Sequence, residues 1–251
     1  MSSLLKIDGM SVTFATPRGN LRAVNDVTIE LLQGESLGVV GESGSGKTVL
    51  SRATMGLLPG TATRTGTITY NGKVISELPK DEVRELWGTG MAMIFQDPMT
   101  ALNPVRRIGS QLTESLTVRL GMDKKAAKLK AVELLKRVRI PDPESMLRKF
   151  PYQLSGGMRQ RIMIAIAVSC EPELLFADEP TTALDVTVQA QVLDLITELR
   201  KESNMAMILV THDLGVVAGH TDKIAVMYAG DVVEYAPTRQ LFSNMKMPYT
   251  E

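Results

Sequence analysis

Residues 41–48 read Gly41-Glu42-Ser43-Gly44-Ser45-Gly46-Lys47-Thr48, which fits the pattern G-x-x-x-x-G-K-[ST]. An apolar run at 36–40 precedes this stretch and a helix-compatible run at 48–55 follows it, so the pattern lies between a predicted strand and a predicted helix. Glycines let the backbone curl so that successive N–H groups face inward and surround phosphate oxygens, and the helix adds the positive end of its dipole. The stretch therefore predicts a phosphate-binding loop in an α/β fold.

Two side chains of this loop are suited to bind a nucleotide with its metal ion. Lys47 can reach the β- and γ-phosphates, and the hydroxyl of Thr48 can bind Mg²⁺. The other loop residues expected to contact the phosphates belong to the glycine-rich turn and are Gly41, Ser43, Gly44, Ser45 and Gly46.

The composition excludes several classes of protein. Lysine plus arginine and aspartate plus glutamate number 28 each, so no net charge draws the chain to nucleic acid or anionic lipid. The single cysteine, Cys170, cannot form an intrachain disulfide, and we expect it to be buried in a protein of a reducing compartment. Residues 1–8 do not show the basic-then-apolar pattern of a signal peptide, so we expect none, and the most apolar run, residues 162–170, is too short to span a membrane. We therefore expect a soluble chain that reaches a membrane only through a partner.

The order of the predicted elements indicates three parts. Residues 4–14 and 27–32 read as strands of an antiparallel sheet, and Asn71-Gly72 predicts a further hairpin. Residues 106–149 show helical periodicity and no convincing strand. Strands and helices then alternate as a parallel core requires, with strands at 174–178, 207–210 and 223–228, and a hairpin partner at 232–235.

One predicted helix in the middle of the chain is strongly basic. Residues 124–139 hold seven lysine or arginine residues against Glu133, which fits either a nucleic-acid patch or a solvated helix face. The neutral total favours the solvated face, so we expect no nucleic-acid partner. The opposite, apolar face of this helix would consist of Ala127, Ala131, Leu134, Leu135 and Val138.

A pair of acids follows the apolar run at 174–177. A phosphate loop needs an acid on a neighbouring core strand to hold Mg²⁺, and Asp178 ends a predicted buried strand. Glu179 comes next, where a carboxylate can polarise the water that attacks the γ-phosphate. We expect Asp178 to bind the metal and Glu179 to act as the general base.

A second helix start suited to an anion lies at Ser155-Gly156-Gly157. Ser155 can cap a helix predicted over 159–170, and the two glycines leave its first N–H groups bare. Within one subunit no phosphate is expected at this helix start. The stretch is therefore interpreted either as an anion-binding site or as a simple helix cap.

Six stretches of the chain, taken together and in order, resemble the motifs of ABC ATPases. They cover nearly the whole chain and are residues 41–48 (Walker A), Gln96 (Q-loop), 154–160 (signature), 175–179 (Walker B), 183–185 (D-loop) and His212 (switch histidine). The resemblance implies a P-loop NTPase fold, with a RecA-like α/β core, a flanking antiparallel β-subdomain and an inserted helical subdomain. The β-subdomain and core would comprise residues 1–95 and 160–251, and the helical subdomain residues 96–159.

The resemblance also implies that two subunits pair head to tail. Each ATP would lie between the Walker A loop of one subunit and Ser155, Gly156 and Gly157 of the other. Gln96 would sense Mg²⁺, and His212 would contact the γ-phosphate. The remaining implied roles are those of Asp185, reaching across the dimer, and of Phe14, stacking on adenine or serving as a core residue of the sheet.

Finer features resemble the oligopeptide/dipeptide/nickel importers, and within them the D-type ATPase. These features are residues 14–19, 95–104, 155–161 and Pro248-Tyr249-Thr250. They imply a peripheral ATPase on the cytoplasmic face of the cell membrane that energises uptake of peptides or of a related solute such as nickel. The implied partners are a second ATPase subunit (an F-type paralogue or a second copy), two permeases and a solute-binding protein. Family members commonly continue past Pro-Tyr-Thr, so a truncated chain is one interpretation.

Two other classes of protein stay open at this point. One is a non-transport ABC ATPase acting in DNA repair, translation or cluster assembly, although the sequence contains no coiled-coil or zinc insertion and no second cassette. The other is a P-loop kinase or GTPase, in which the Ser155-Gly156-Gly157 motif and His212 have no role.

Overall fold

The computed structural model describes residues 3–182 and 184–250. Backbone contacts divide them into two compact units. The central unit is Trp87–Ser203, and the terminal unit comprises the described residues up to Leu86 and from Asn204. The predicted boundaries of a helical subdomain, residues 96–159, stay a prediction.

The elements follow one another in chain order as ten strands and ten α-helices within the described ranges. The first part of the terminal unit contains β1 (Ser3–Thr16), β2 (Gly19–Leu32), β3 (Ser36–Val40), α1 (Lys47–Thr54), β4 (Ala62–Tyr70), β5 (Lys73–Val74) and α2 (Lys80–Glu85). The central unit contains β6 (Met91–Ile94), α3 (Pro98–Ala101), α4 (Ile108–Leu120), α5 (Lys124–Arg137), α6 (Pro143–Met146), α7 (Gly156–Ala167), β7 (Leu174–Asp178) and α8 (Val186–Ser203). The terminal unit resumes with β8 (Ala206–Thr211), α9 (Leu214–His220), β9 (Lys223–Tyr228), β10 (Asp231–Pro237) and α10 (Thr238–Ser243).

An antiparallel sheet of order β2-β1-β4-β5 forms one layer of the terminal unit. The predicted hairpin is present, and both Asn71 and Gly72 have positive φ, at 48° and 74°, as a two-residue hairpin turn requires. β2 is longer than predicted and begins at Gly19, because it pairs with β1 from Thr16↔Gly19 onward.

The parallel strands of the terminal unit carry the phosphate loop. β3 pairs in parallel with β8 on one side and with β9 on the other, and β10 adds an antiparallel edge. All five residues of β3 and all six of β8 are buried. A strand that is buried on both faces has a continuous run of apolar residues in place of alternating apolar and polar ones. The apolar runs of β3 and β8 therefore indicated a parallel core.

The central unit is mainly helical, and residues 106–149, which the sequence predicts to be helical, contain α4, α5 and α6. β6 and β7 pair in parallel, and the segment between them holds the helices α3 to α7. The predicted apolar face of α5 is buried, with the side chains of Ala127, Ala131, Leu134, Leu135 and Val138 at most 1% exposed. The predicted start of α7 at Arg159 is wrong by one turn. Ser155 caps the helix directly before Gly156, so both glycines belong to its first turn.

The expected burial of Cys170 is confirmed. None of the helices in the described part of the chain is both long and apolar enough to cross a membrane.

Candidate functional site

The loop between β3 and α1 requires glycine where the sequence places it. A Cβ atom on Gly41 would lie 2.1 Å from the carbonyl oxygen of Met227, and one on Gly46 would lie 2.3 Å from that of Ala23. Gly46 also has a φ of 103°, in the left-handed region that glycine adopts without strain. The loop is therefore wrapped tightly on neighbouring backbone, in a shape that larger residues cannot reproduce.

Lys47 is turned into its own loop. Its side chain is only 4% exposed, and its Nζ donates to the carbonyl oxygens of Gly41 and Glu42, each at 2.7 Å. A buried ammonium group is stable only when it has such acceptors. The loop thus holds a positive charge at the position from which the sequence predicts contact with phosphate.

Ser45 supplies a hydroxyl that suits an anionic ligand. The residue is 5% exposed, and among the described residues none provides a hydrogen-bond partner for its Oγ. A buried hydroxyl left in this state costs about 1–3 kcal/mol. A phosphate oxygen would accept a hydrogen bond from this hydroxyl, so the residues present fit the phosphate group of a nucleotide.

The helix after the loop presents its N-terminus without a side-chain cap. Gly46 occupies the cap position of α1 and has no side chain with which to bond the first N–H groups. Ser43 and Gly44 are exposed, and Thr48 is half-buried in the first turn of the helix. Uncapped N–H groups at a helix start bind phosphate readily.

The two predicted acids differ in their surroundings within the central unit. Asp178 ends β7 and is fully buried, whereas Glu179 follows it with a φ of 44°, in the left-handed region. Oε2 of Glu179 accepts hydrogen bonds from Nε2 of Gln96 at 2.9 Å and from Oγ1 of Thr182 at 2.8 Å. A non-glycine residue in this conformation is strained, and such strain is concentrated at functional sites. The two hydrogen bonds bring Gln96 and Thr182 into contact with the Glu179 carboxylate.

The start of α7 is capped as predicted. The backbone N–H of Met158 donates to Oγ of Ser155 at 3.3 Å, while Ser155 and Gly156 are exposed. A Cβ atom on Gly157 would lie 3.1 Å from Cγ1 of Val188, so this glycine permits close packing against α8. The first turn of α7 therefore presents backbone to solvent, which suits an external anion as well as a simple cap.

Gln160 is a residue that the sequence analysis did not single out for a role of its own. It is 2% exposed, and its Nε2 donates to the carbonyl oxygen of Pro180 at 2.5 Å. This bond ties α7 to the segment that directly follows Glu179. Gln160 stands between Arg159 and Arg161, so its neighbours in the sequence give no signal that it is buried.

The remaining predicted site residues each lie on a different element. His212 follows β8 and is exposed, and Asp213 caps α9 directly after it. Oδ1 of Asp185 accepts a hydrogen bond from the N–H of Val188 at 3.0 Å, so Asp185 caps α8. Its contact with a second subunit stays a prediction. Phe14 is half-buried in β1, opposite Leu21 of β2. The predicted D-loop also includes Ala183, which lies outside the described residues.

Two of the residues predicted to hold the metal ion carry oxygen donors. Mg²⁺ in nucleotide sites uses one or two protein oxygens together with phosphates and water. The hydroxyl of Thr48 and the carboxylate of Asp178 are oxygen donors of this kind.

A family model described as "ABC transporter" matches residues 24–182. The chain belongs to the ABC transporter family. It is 51% identical to the oligopeptide transport ATP-binding protein OppD of Salmonella typhimurium, over 98% of this chain and 74% of that protein. It is 47% identical to the dipeptide transport ATP-binding protein DppD of Bacillus subtilis, over 100% of this chain and 76% of that protein. The resemblance to the ATPases of this importer group is therefore confirmed.

Solved structures of ABC cassettes share the fold. One is a dimeric ATP-binding cassette in a post-hydrolysis state with ADP and Pi, at a TM-score of 0.84 and 25% identity, covering 94% of this chain and 99% of that one. Another is cbiO1 of Clostridium perfringens, at a TM-score of 0.79 and 25% identity, covering 97% of this chain and 92% of that one. The predicted fold class is confirmed, and so is the prediction of an ABC ATPase.

Proposed function

We propose that the protein is the ATP-hydrolysing subunit of an importer that takes up peptides, acting peripherally on the cytoplasmic face of the cell membrane. The observation that carries the proposal is the phosphate loop, which encloses the ammonium of Lys47 and the unsatisfied hydroxyl of Ser45. The relatives are transport ATP-binding proteins for oligopeptides and dipeptides, which supports peptides as the solute class.

The nucleotide would be held mainly by the phosphate loop. The N–H groups of the glycine-rich turn and of the start of α1 would bind the phosphates, and Lys47 would exchange its carbonyl acceptors for the β- and γ-phosphates. Phe14 would stack on adenine. Mg²⁺ would be held by Thr48, Gln96 and Asp178, and when bound it would neutralise charge on the transferred phosphoryl group.

Hydrolysis is assigned to Glu179 as general base. Its carboxylate would take a proton from the water whose oxygen attacks the γ-phosphorus, while the bond to the leaving ADP oxygen breaks. Gln96 and Thr182 support this role because they already bond Oε2 of Glu179 and fix its direction. His212 would contact the γ-phosphate.

A second ATPase subunit would complete each site. The exposed first turn of α7, with Ser155, Gly156 and Gly157, would bind the nucleotide held by the partner's phosphate loop. Asp185 would reach across the same interface. ATP binding would close the pair and hydrolysis would reopen it, which would move two permeases between inward- and outward-facing states. A solute-binding protein would deliver the peptide.

Uptake of a labelled dipeptide and a labelled tripeptide tests this function. The strain should lack this chain and be complemented with wild type, with Lys47→Ala, or with Lys201→Ala as a matched change on the exposed end of α8. Wild type and Lys201→Ala should restore uptake, and Lys47→Ala should not. Copurification of the chain with DNA or ribosomes, and not with membrane proteins, would contradict a transport function.

A further inference from the structure

The segment Pro248-Tyr249-Thr250 contacts the phosphate loop, and the proposed function gives it no role. The backbone N–H of Glu42, the second residue of the loop, donates to the hydroxyl of Tyr249 at 2.7 Å. The two residues are 207 positions apart in the sequence. A residue near the C-terminal end of the described chain thus bonds directly to the backbone that is expected to hold ATP.

The peptide group between Gly41 and Glu42 is held from both sides. Its carbonyl oxygen, that of Gly41, accepts from Nζ of Lys47 at 2.7 Å, and its N–H, that of Glu42, donates to Tyr249. In a planar trans peptide the C=O and N–H point in opposite directions. The Tyr249 hydroxyl therefore lies on the outer side of the loop, away from Lys47, and hinders rotation of the peptide that positions one acceptor of the lysine.

Tyr249 is held by contacts of its ring with β9, which flanks β3, and by contacts of the next residue with β10, which pairs with β9. Its ring packs against that of Tyr228, the last residue of β9, with centroids 4.7 Å apart. The next residue, Thr250, is fully buried, and its Oγ1 donates to Oε2 of Glu234 on β10 at 2.7 Å. This hydrogen bond is the main reason why the pKa of Glu234 is lowered. These two contacts restrict the movement of Tyr249, so its hydroxyl is held in place beside the loop.

We propose that Tyr249 is a positioning residue for nucleotide binding, which acts by fixing the Gly41–Glu42 peptide and, through it, Lys47. The inference rests on the proposed binding of ATP at this loop. It predicts that the Tyr249 hydroxyl contributes to ATP affinity although it does not touch the nucleotide. A purely structural role would contribute to stability alone.

The test compares two single-atom deletions in the full chain. Tyr249→Phe removes the bond to Glu42 and keeps the ring against Tyr228. Tyr235→Phe is the matched control, because the Tyr235 hydroxyl likewise makes one hydrogen bond to the backbone of the terminal unit, which it donates to the carbonyl oxygen of Glu30 at 3.1 Å. Affinity for MANT-ATP with Mg²⁺ is measured by fluorescence titration, and Tm by calorimetry. Each variant should lose a similar amount of Tm, since each loses one hydrogen bond.

Tyr249→Phe should weaken MANT-ATP binding about three- to ten-fold, and Tyr235→Phe should leave it unchanged. Wild-type affinity in Tyr249→Phe would overturn the inference and leave the proposed function standing. Equal loss of affinity in both variants would also overturn it, because the effect would then follow from general destabilisation. A wild-type chain that failed to bind MANT-ATP would overturn the proposed function together with this inference.

Discussion

Nε2 of Gln96 donates a hydrogen bond of 2.9 Å to Oε2 of Glu179. The two residues are 83 positions apart, and they follow the paired strands β6 and β7 respectively. The parallel pairing of these strands brings their carboxyl ends to one edge, where the residues that follow can meet. The predicted metal sensor and the predicted general base are therefore in direct contact, so a change at one residue should be felt at the other.

Glu179→Gln should retain ATP binding and lose at least about a hundred-fold in ATPase rate. The amide has the shape of the carboxylate but cannot take a proton from water, and general-base catalysis contributes about 10²–10⁴-fold. Turnover is measured by phosphate release and binding by MANT-ATP titration. Glu198→Gln is the matched control on α8, where it only weakens an exposed ion pair with Arg139. Full turnover in Glu179→Gln would remove Glu179 from the role.

Thr182→Val should lower the ATPase rate about ten- to a hundred-fold with little change in ATP affinity. The hydroxyl of Thr182 bonds Oε2 of Glu179 at 2.8 Å, and losing one hydrogen bond to a charged group costs about 1.5–3 kcal/mol. Thr182→Ser keeps the hydroxyl and should recover most of the rate. If valine and serine at this position gave the same rate, the bond would have no part in orienting the base.

The local structure around Lys47 and Ser155 agrees with the sequence, because the strand or cap beside each can be read within a few positions of the chain. Their roles toward a nucleotide stay predictions. The sequence analysis assigned no role of its own to either Thr182 or Gln160. Their hydrogen-bond partners are Glu179 and the carbonyl oxygen of Pro180, and these contacts depend on the conformation of the turn after β7. The bond between Glu42 and Tyr249 spans nearly the whole chain, and no local pattern specifies it.

Ser155→Arg should leave ATP binding to the isolated monomer intact and block ATP-dependent pairing. The side chain of Ser155 is exposed and only caps α7, so a larger, charged side chain can be accommodated in the monomer but not in a closed interface. Both effects are measured in the Glu179→Gln background, by MANT-ATP titration and by size-exclusion chromatography with ATP. Ser155→Ala, which loses only the cap, is the control. Loss of binding in the monomeric arginine variant would contradict a site shared between subunits.

The ion pair between Lys223 and Glu35 makes the free energy of unfolding depend on pH in the alkaline range. Nζ of Lys223 lies 2.8 Å from Oε1 of Glu35, and this hydrogen bond is the main reason why the pKa of Lys223 is raised above its ordinary value of 10.5. Because the folded pKa is the higher one, the stabilisation is fully present below the unfolded pKa and is lost as pH rises through the folded pKa.

Lys223→Met should therefore lower the free energy of unfolding by about 0.5–1 kcal/mol at pH 8, since the pair is partly exposed. The difference between wild type and variant should persist up to about pH 10 and shrink above it. Urea unfolding of both chains at pH 8, 9.5 and 11 measures this difference. A difference that stayed constant from pH 8 to 11 would show that the methionine acts through packing and that the charge of Lys223 contributes no stability.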